Sequence, residues 1–143
     1  MVDQLAEIGS NVHDVNGDVI AVKRGENGSP YDPTRSTVRN YLEIHADDTL
    51  GYPLLRLHYP SVRRFVDSAL STGGRALIHC ELGVNRSVTL AVAYLIDTEG
   101  VALTQAVRQL RLARPNMLRN EGFRRQLVQF AAERKLIDAT LQR

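Results

Sequence analysis

The chain has 143 residues, a charged fraction of 24%, a net charge of +2 and one cysteine. That length supports one domain with a real core, so the reading is a single domain over residues 1–143. No apolar run is long enough to span a bilayer, the N-terminus MVDQLAEIG lacks the basic-then-apolar pattern of a secretory leader, and a lone cysteine excludes an internal disulfide. These features predict a soluble protein of a reducing compartment, cytoplasmic or nuclear.

In chain order, residues 3–8 read as a short helix stopped by Gly9. Two segments compete for the first strand, Asn11–Val15 and Asp18–Val22. Residues 23–37 hold two Gly and two Pro and read as a long loop. VRNYLEI (38–44) alternates as a strand, with Val38, Leu42 and Ile44 on one face. After the polar loop HADDTLGYP, Val62, Phe65, Val66, Ala69 and Leu70 recur at helical spacing from about Pro60. RALIHC suits a buried strand. SVTLAVAYLIDTEG is apolar on nearly every face, as a central buried helix must be. Leu103, Ala106, Val107 and Leu110 mark a further helix that stops near Pro115. Phe123, Leu127 and Phe130 stripe a last helix, from about Asn120 to Leu136. Strands interspersed with helices predict an α/β domain, its mostly parallel or mixed sheet flanked by helices.

Charge is unevenly spread. Residues 1–100 carry 9 Lys+Arg against 13 Asp+Glu, whereas residues 101–143 carry 9 against 3. A basic segment attracts phosphate-bearing partners or is simply a solvated face. Only Phe123 and Phe130 are aromatic there, so stacking on nucleic-acid bases is poorly supported.

The chemistry concentrates in HCELGVNRS (79–87). A buried strand ends at His79–Cys80, and Arg86 and Ser87 open a buried helix. Between them, the amides of Glu81, Leu82, Gly83, Val84, Asn85 and Arg86 can curl into an anion-binding nest. The helix N-terminus adds its positive end. Gly83 permits the curl, and Arg86 can fork onto two phosphate oxygens. Helix N-termini favour a nucleophilic thiolate, and the Ser87 hydroxyl can donate to the sulfur. Cys80 on its own could equally be a small buried apolar residue. His, Cys, Gly, Arg and Ser at these offsets arise by chance in roughly one chain in ten thousand of this length.

HCELGVNRS resembles the HCxxGxxRS signature of the cysteine-dependent protein phosphatases, in their dual-specificity branch. YLEIHADDT (41–49), GRALIHC, RSVTLAVAYLI and ARPNMLRNEGFRRQL (113–127) resemble the family's acid segment, strand, helix and Arg-rich turn. The resemblance runs from about Leu5 to Phe130 and is strongest from residue 38. It implies a protein tyrosine phosphatase-like fold and hydrolysis of phosphotyrosine and phosphoserine or phosphothreonine in proteins, without metal or cofactor. Cys80 is then the nucleophile, which becomes phosphorylated. Arg86 and the amides of residues 81–86 bind phosphate, and Ser87 assists departure of the sulfur. A carboxylate after the strand at 38–44 is the general acid and then the base. The flanking Ala and Thr select Asp48, which precedes Cys80 by 32 residues; its neighbour Asp47 is the alternative. Low-molecular-weight phosphatases order loop and acid the other way round.

By the same resemblance, His79 supports the loop and Asn120 braces the site, or caps a helix. Arg114 and Arg119 extend the positive pocket or lie on a solvated helix end. Tyr31 and Tyr41 are candidates for the pocket wall. His13, His45 and His58 lack metal-ligand spacing. Three departures stand out: Asn85 where the family more often has Ser, Arg119 in place of a Pro, and no room before Leu5 for the family's first strand. Phosphoproteins are the expected partners. RNA 5′-triphosphatases and phosphoinositide phosphatases use a similar loop and stand as alternatives, although nucleic acid is disfavoured. A non-catalytic phospho-binding module stands behind them, because such proteins lose the Cys, the Arg or the acid, and all three are present here.

Overall fold

The computed structural model describes residues 19–24 and 40–138, and only the backbone of residues 19–24, 40 and 41. The elements are β1 (Val19–Arg24), β2 (Asn40–Ile44), α1 (Leu54–Ser71), β3 (Arg75–His79), α2 (Arg86–Glu99), α3 (Leu103–Ala113) and α4 (Glu121–Glu133). β1 forms in VIAVKR, whose Val and Ile residues favour strands. It lies between β2 and β3 and runs antiparallel to both, pairing Val19 with Ile44 and Ile20 with His79. β2 and β3 therefore point the same way. Of the two competing first strands, Asp18–Val22 overlaps β1; Asn11–Val15 and the helix at 3–8 lie outside the described residues. The loop expected over 23–37 starts later, because Lys23 and Arg24 still pair in the sheet.

β2 alternates as its sequence predicts, with Glu43 exposed and Ile44 buried. The four residues Ala76–His79 of β3 are all buried. α2 is buried from Arg86 through Ile96. It packs against α1, α3, α4 and the sheet, which is why its sequence is apolar all round. Burying each of its Leu, Val or Ile side chains contributes about 1.5–3 kcal/mol.

Two helix ends differ from expectation. α1 begins six residues before Pro60 and keeps that proline in its interior. An internal proline costs roughly 3 kcal/mol, but the extra turns bury Leu54, Leu55 and Tyr59, which offsets it. α4 ends at Glu133 instead of Leu136, and Lys135 adopts φ 58°. The chain then turns back onto α3. The Leu103 amide donates to the Leu136 carbonyl (3.0 Å) and the Thr104 amide to Asp138 Oδ2 (3.2 Å). Asp138 thus caps a helix whose own N-cap, Ala102, has no side-chain acceptor. Hydrogen bonding to Thr104, aided by the charge of Arg108, holds its carboxyl below the usual range.

α1, α2 and the end of α4 meet at Asp97. Its carboxylate accepts from Tyr59 Oη (2.8 Å), Arg134 Nε (2.7 Å) and Arg63 Nη1. Burial alone would push the Asp97 carboxyl up, but the bonds from Arg134 and Tyr59 and the two arginine charges bring it below its ordinary value.

Candidate active site

The segment between β3 and α2 is the centre of the site. Cys80 and Arg86 are both buried, at 7% exposure each, at the two ends of the turn. Gly83 has φ +63°, a conformation that side chains disfavour. A Cβ there would also lie 3.1–3.3 Å from the Arg114 guanidinium. Glycine at 83 therefore serves both the curl and the close approach of Arg114, whose charge sits against the loop. Cys80 Sγ lies 3.2 Å from Ser87 Oγ, and Ser87 is fully buried in the first turn of α2.

Arg86 is held at its tip. Its Nη1 donates to the Ala46 carbonyl (2.9 Å), and Nη2 is 3.7 Å from the exposed Glu81 carboxylate. Nε is buried and makes no hydrogen bond among the described residues. Nε and Nη2 form one edge of the planar guanidinium, the edge that matches two oxygens of a phosphate.

The acid segment follows β2 directly. Both Asp47 and Asp48 are exposed, and their surroundings differ. Asp48 accepts from Asn85 Nδ2 (3.1 and 3.3 Å) and from Asn120 Nδ2 (2.8 Å). Asp47 is felt at Tyr52, whose hydroxyl pKa is raised by burial and then by the Asp47 charge. Asp48 is thus the carboxylate joined to the loop between β3 and α2.

Asn85 is the residue whose part the sequence left undefined. Its Oδ1 accepts the amides of Arg119 (2.8 Å) and Asn120 (2.9 Å) while its amide nitrogen holds Asp48. The Leu118 amide donates to the Val84 carbonyl (2.8 Å), with Leu118 at φ 56°. Asn120 makes two side-chain contacts. Its Oδ1 caps α4 by accepting from the Phe123 amide (3.2 Å), and its Nδ2 reaches Asp48. The Arg-rich turn is therefore bonded to the loop at Val84 and Asn85. Its one sequence signal was the polar Asn85 in a position that elsewhere carries a smaller side chain.

Gly122 is a second such residue. A Cβ there would stand 1.9 Å from the Leu50 carbonyl oxygen, so glycine lets the first turn of α4 press on the acid segment. His79 is buried at the end of β3. Tyr31 and His13 lie outside the described residues, and Tyr41 is described in its backbone only. Tyr52 packs parallel to His58, with its hydroxyl 2.6 Å from Nε2 and 3.1 Å from the His45 carbonyl. Burial lowers the His58 pKa. Among the described residues no group of three or more His, Cys, Asp or Glu is placed to hold a metal ion, and no helix is long and apolar enough to cross a membrane.

A buried strand, a tight loop running from Cys80 to Arg86 and a buried helix, ringed by further helices, define the protein tyrosine phosphatase-like α/β class. Residues 19–133 match the family model of the dual specificity phosphatase catalytic domain, and the chain belongs to that family. It is 35% identical over 96 residues to dual specificity protein phosphatase Mpk3 of Drosophila melanogaster, covering 67% of this chain and 23% of that one. Against dual specificity protein phosphatase 13B of Homo sapiens the identity is 40% over 88 residues, covering 61% and 43%. The crystal structure of a mouse putative dual specificity phosphatase complexed with zinc tungstate superposes with a TM-score of 0.61 at 27% identity, over 68% of this chain and 63% of that one. The chain spans less than half the length of these two curated relatives.

Proposed function

We propose that the protein hydrolyses phosphate monoesters of tyrosine and of serine or threonine in proteins, through a phosphorylated Cys80. The observation that carries this reading is the buried Arg86 edge, with Nε making no hydrogen bond among the described residues, at the end of a loop that begins at the thiol. In this mechanism the phosphate accepts hydrogen bonds from the amides of residues 81–86 and from Arg86. Cys80 Sγ, as thiolate, attacks phosphorus and forms the P–S bond. The bond to the tyrosine, serine or threonine oxygen breaks, and Asp48 delivers the proton that oxygen needs. In the second step Asp48 takes a proton from water, and the water oxygen bonds to phosphorus. The P–S bond then breaks, its electron pair returning to a sulfur that the Ser87 hydroxyl stabilises. Such a thiol works in a reducing compartment, and the reading includes the cytoplasm or nucleus.

The test is turnover of p-nitrophenyl phosphate with a chelator present. Wild type turns over and Cys80→Ser does not; a Cys80→Ser variant as fast as wild type overturns the mechanism. Asp48→Asn loses about 10²–10⁴-fold on a poor leaving group and still forms phosphoenzyme from an activated one. If Asp47→Asn is the crippled variant instead, the acid is Asp47 and not Asp48. Substrate class is tested with a phosphotyrosine peptide, triphosphate-ended RNA and a phosphoinositide; faster turnover of RNA or lipid overturns the protein substrate.

A further inference from the structure

Between α3, α4 and the turn joining them lies an open groove of about 560 Å³. Val107, Met117 and Leu127 contribute apolar lining, and Arg108, Arg111, Arg119 and Arg124 stand around it. Among the described residues no Asp or Glu lines it and no aromatic side chain does. Arg124 donates to the Leu118 carbonyl (3.1 Å), and Arg108 is close enough to Asp138 to favour its charge. Arg111 and Arg119 have no ion pair among the described residues. Apolar surface continues outward from the groove at Val128, 47% exposed.

We propose that this groove docks an acidic amphipathic segment of a partner protein, its aliphatic side chains on the apolar lining and its carboxylates against the arginines. Four guanidiniums without a lining carboxylate set the sign of the ligand. The apolar recess sets its other half, because a purely polar polyanion would leave those side chains uncovered. A single-stranded nucleic acid finds no aromatic platform here, and a flat bilayer surface does not reach a recessed floor. An amphipathic helix laid in a groove between two helices meets both requirements.

The experiment uses the Cys80→Ser chain, so binding is read without catalysis and does not depend on the proposed reaction. The probe is a fluorescein-labelled peptide of about twelve residues with Leu and Glu at helical spacing, followed by anisotropy. Saturable binding is expected, weakened by added salt. It falls about tenfold or more in Arg108→Glu/Arg111→Glu, falls in Val128→Glu, and is unchanged in Arg64→Glu on α1. Turnover of p-nitrophenyl phosphate by the charge-reversed chain with Cys80 intact matches wild type, which shows the fold is retained. Three results overturn the proposal: binding indifferent to the Arg108 and Arg111 reversals; tighter binding of single-stranded RNA or phosphatidylserine vesicles than of the peptide; or self-association that excludes the peptide. Failure of the catalytic reading shows separately, as absent turnover by wild type.

Discussion

Asn85 and Asp48, 37 residues apart in the chain, meet through the Asn85 amide nitrogen, which lies 3.1 and 3.3 Å from the two carboxylate oxygens. The same side chain holds the Arg119 and Asn120 amides through its oxygen. One residue of the phosphate loop thereby ties the acid segment to the turn before α4.

Asn85→Ala removes that tie. Hydrogen bonds to a charged group are worth about 1.5–3 kcal/mol, which corresponds to roughly 10–100-fold in rate. The loss should fall on poor leaving groups such as phenyl phosphate and be small on p-nitrophenyl phosphate, because only the former depends on the acid. Rates across a series of leaving groups check this; an equal loss on all of them would mean the loop itself had collapsed.

Gly122→Ala probes the same carboxylate from the opposite side. The new Cβ meets the Leu50 carbonyl at 1.9 Å, so α4 and the acid segment must part, drawing Asn120 from Asp48. The expected outcome is a destabilisation of about 1–3 kcal/mol by denaturant unfolding, with a steeper dependence of rate on leaving group than wild type.

Ser87→Ala tests the second half of the reaction. Sγ and Oγ are 3.2 Å apart, so the hydroxyl can stabilise the departing sulfur but has no part in transferring the ester oxygen. Rapid-mixing kinetics should show a burst of nitrophenol and a slower steady state, as phosphoenzyme accumulates. A uniformly slowed reaction without a burst would place Ser87 in the first step instead.

Acid unfolding reports on Asp97. Its carboxyl sits below the ordinary value in the folded chain, so the unfolded chain binds the proton more readily. The stabilisation is therefore fully present above the unfolded carboxylate pKa of about 3.9 and is lost as pH falls through the lower folded value. Asp97→Asn should cost about 2 kcal/mol at pH 7 and flatten the decline below about pH 4, measured by urea unfolding at a series of pH values.

The parts of the site legible in the sequence are those where chemistry fixes residue types at short range. Cys80, Gly83, Arg86 and Ser87 fall within eight consecutive residues, and the flanking apolar runs declare a buried strand and helix. Asp48 needed the resemblance to select it from Asp47, since both are exposed and neither differs in periodicity. Asn85, Asn120 and Gly122 act through contacts 34 to 72 residues away, which no local pattern encodes. The start of α1 was hidden because Pro60 reads as a beginning, whereas burial of Leu54, Leu55 and Tyr59 carries the helix through it.

Arg86 donates its Nη1 to the Ala46 carbonyl, two residues before Asp48. In the proposed mechanism, the guanidinium that receives phosphate is thus also a strut under the segment carrying Asp48. That strut predicts that both halves of the pocket are ordered before a ligand enters, leaving it little loop entropy to remove. Tungstate or vanadate should bind in a single kinetic phase whose rate rises linearly with concentration, without the plateau that a slow closing step imposes.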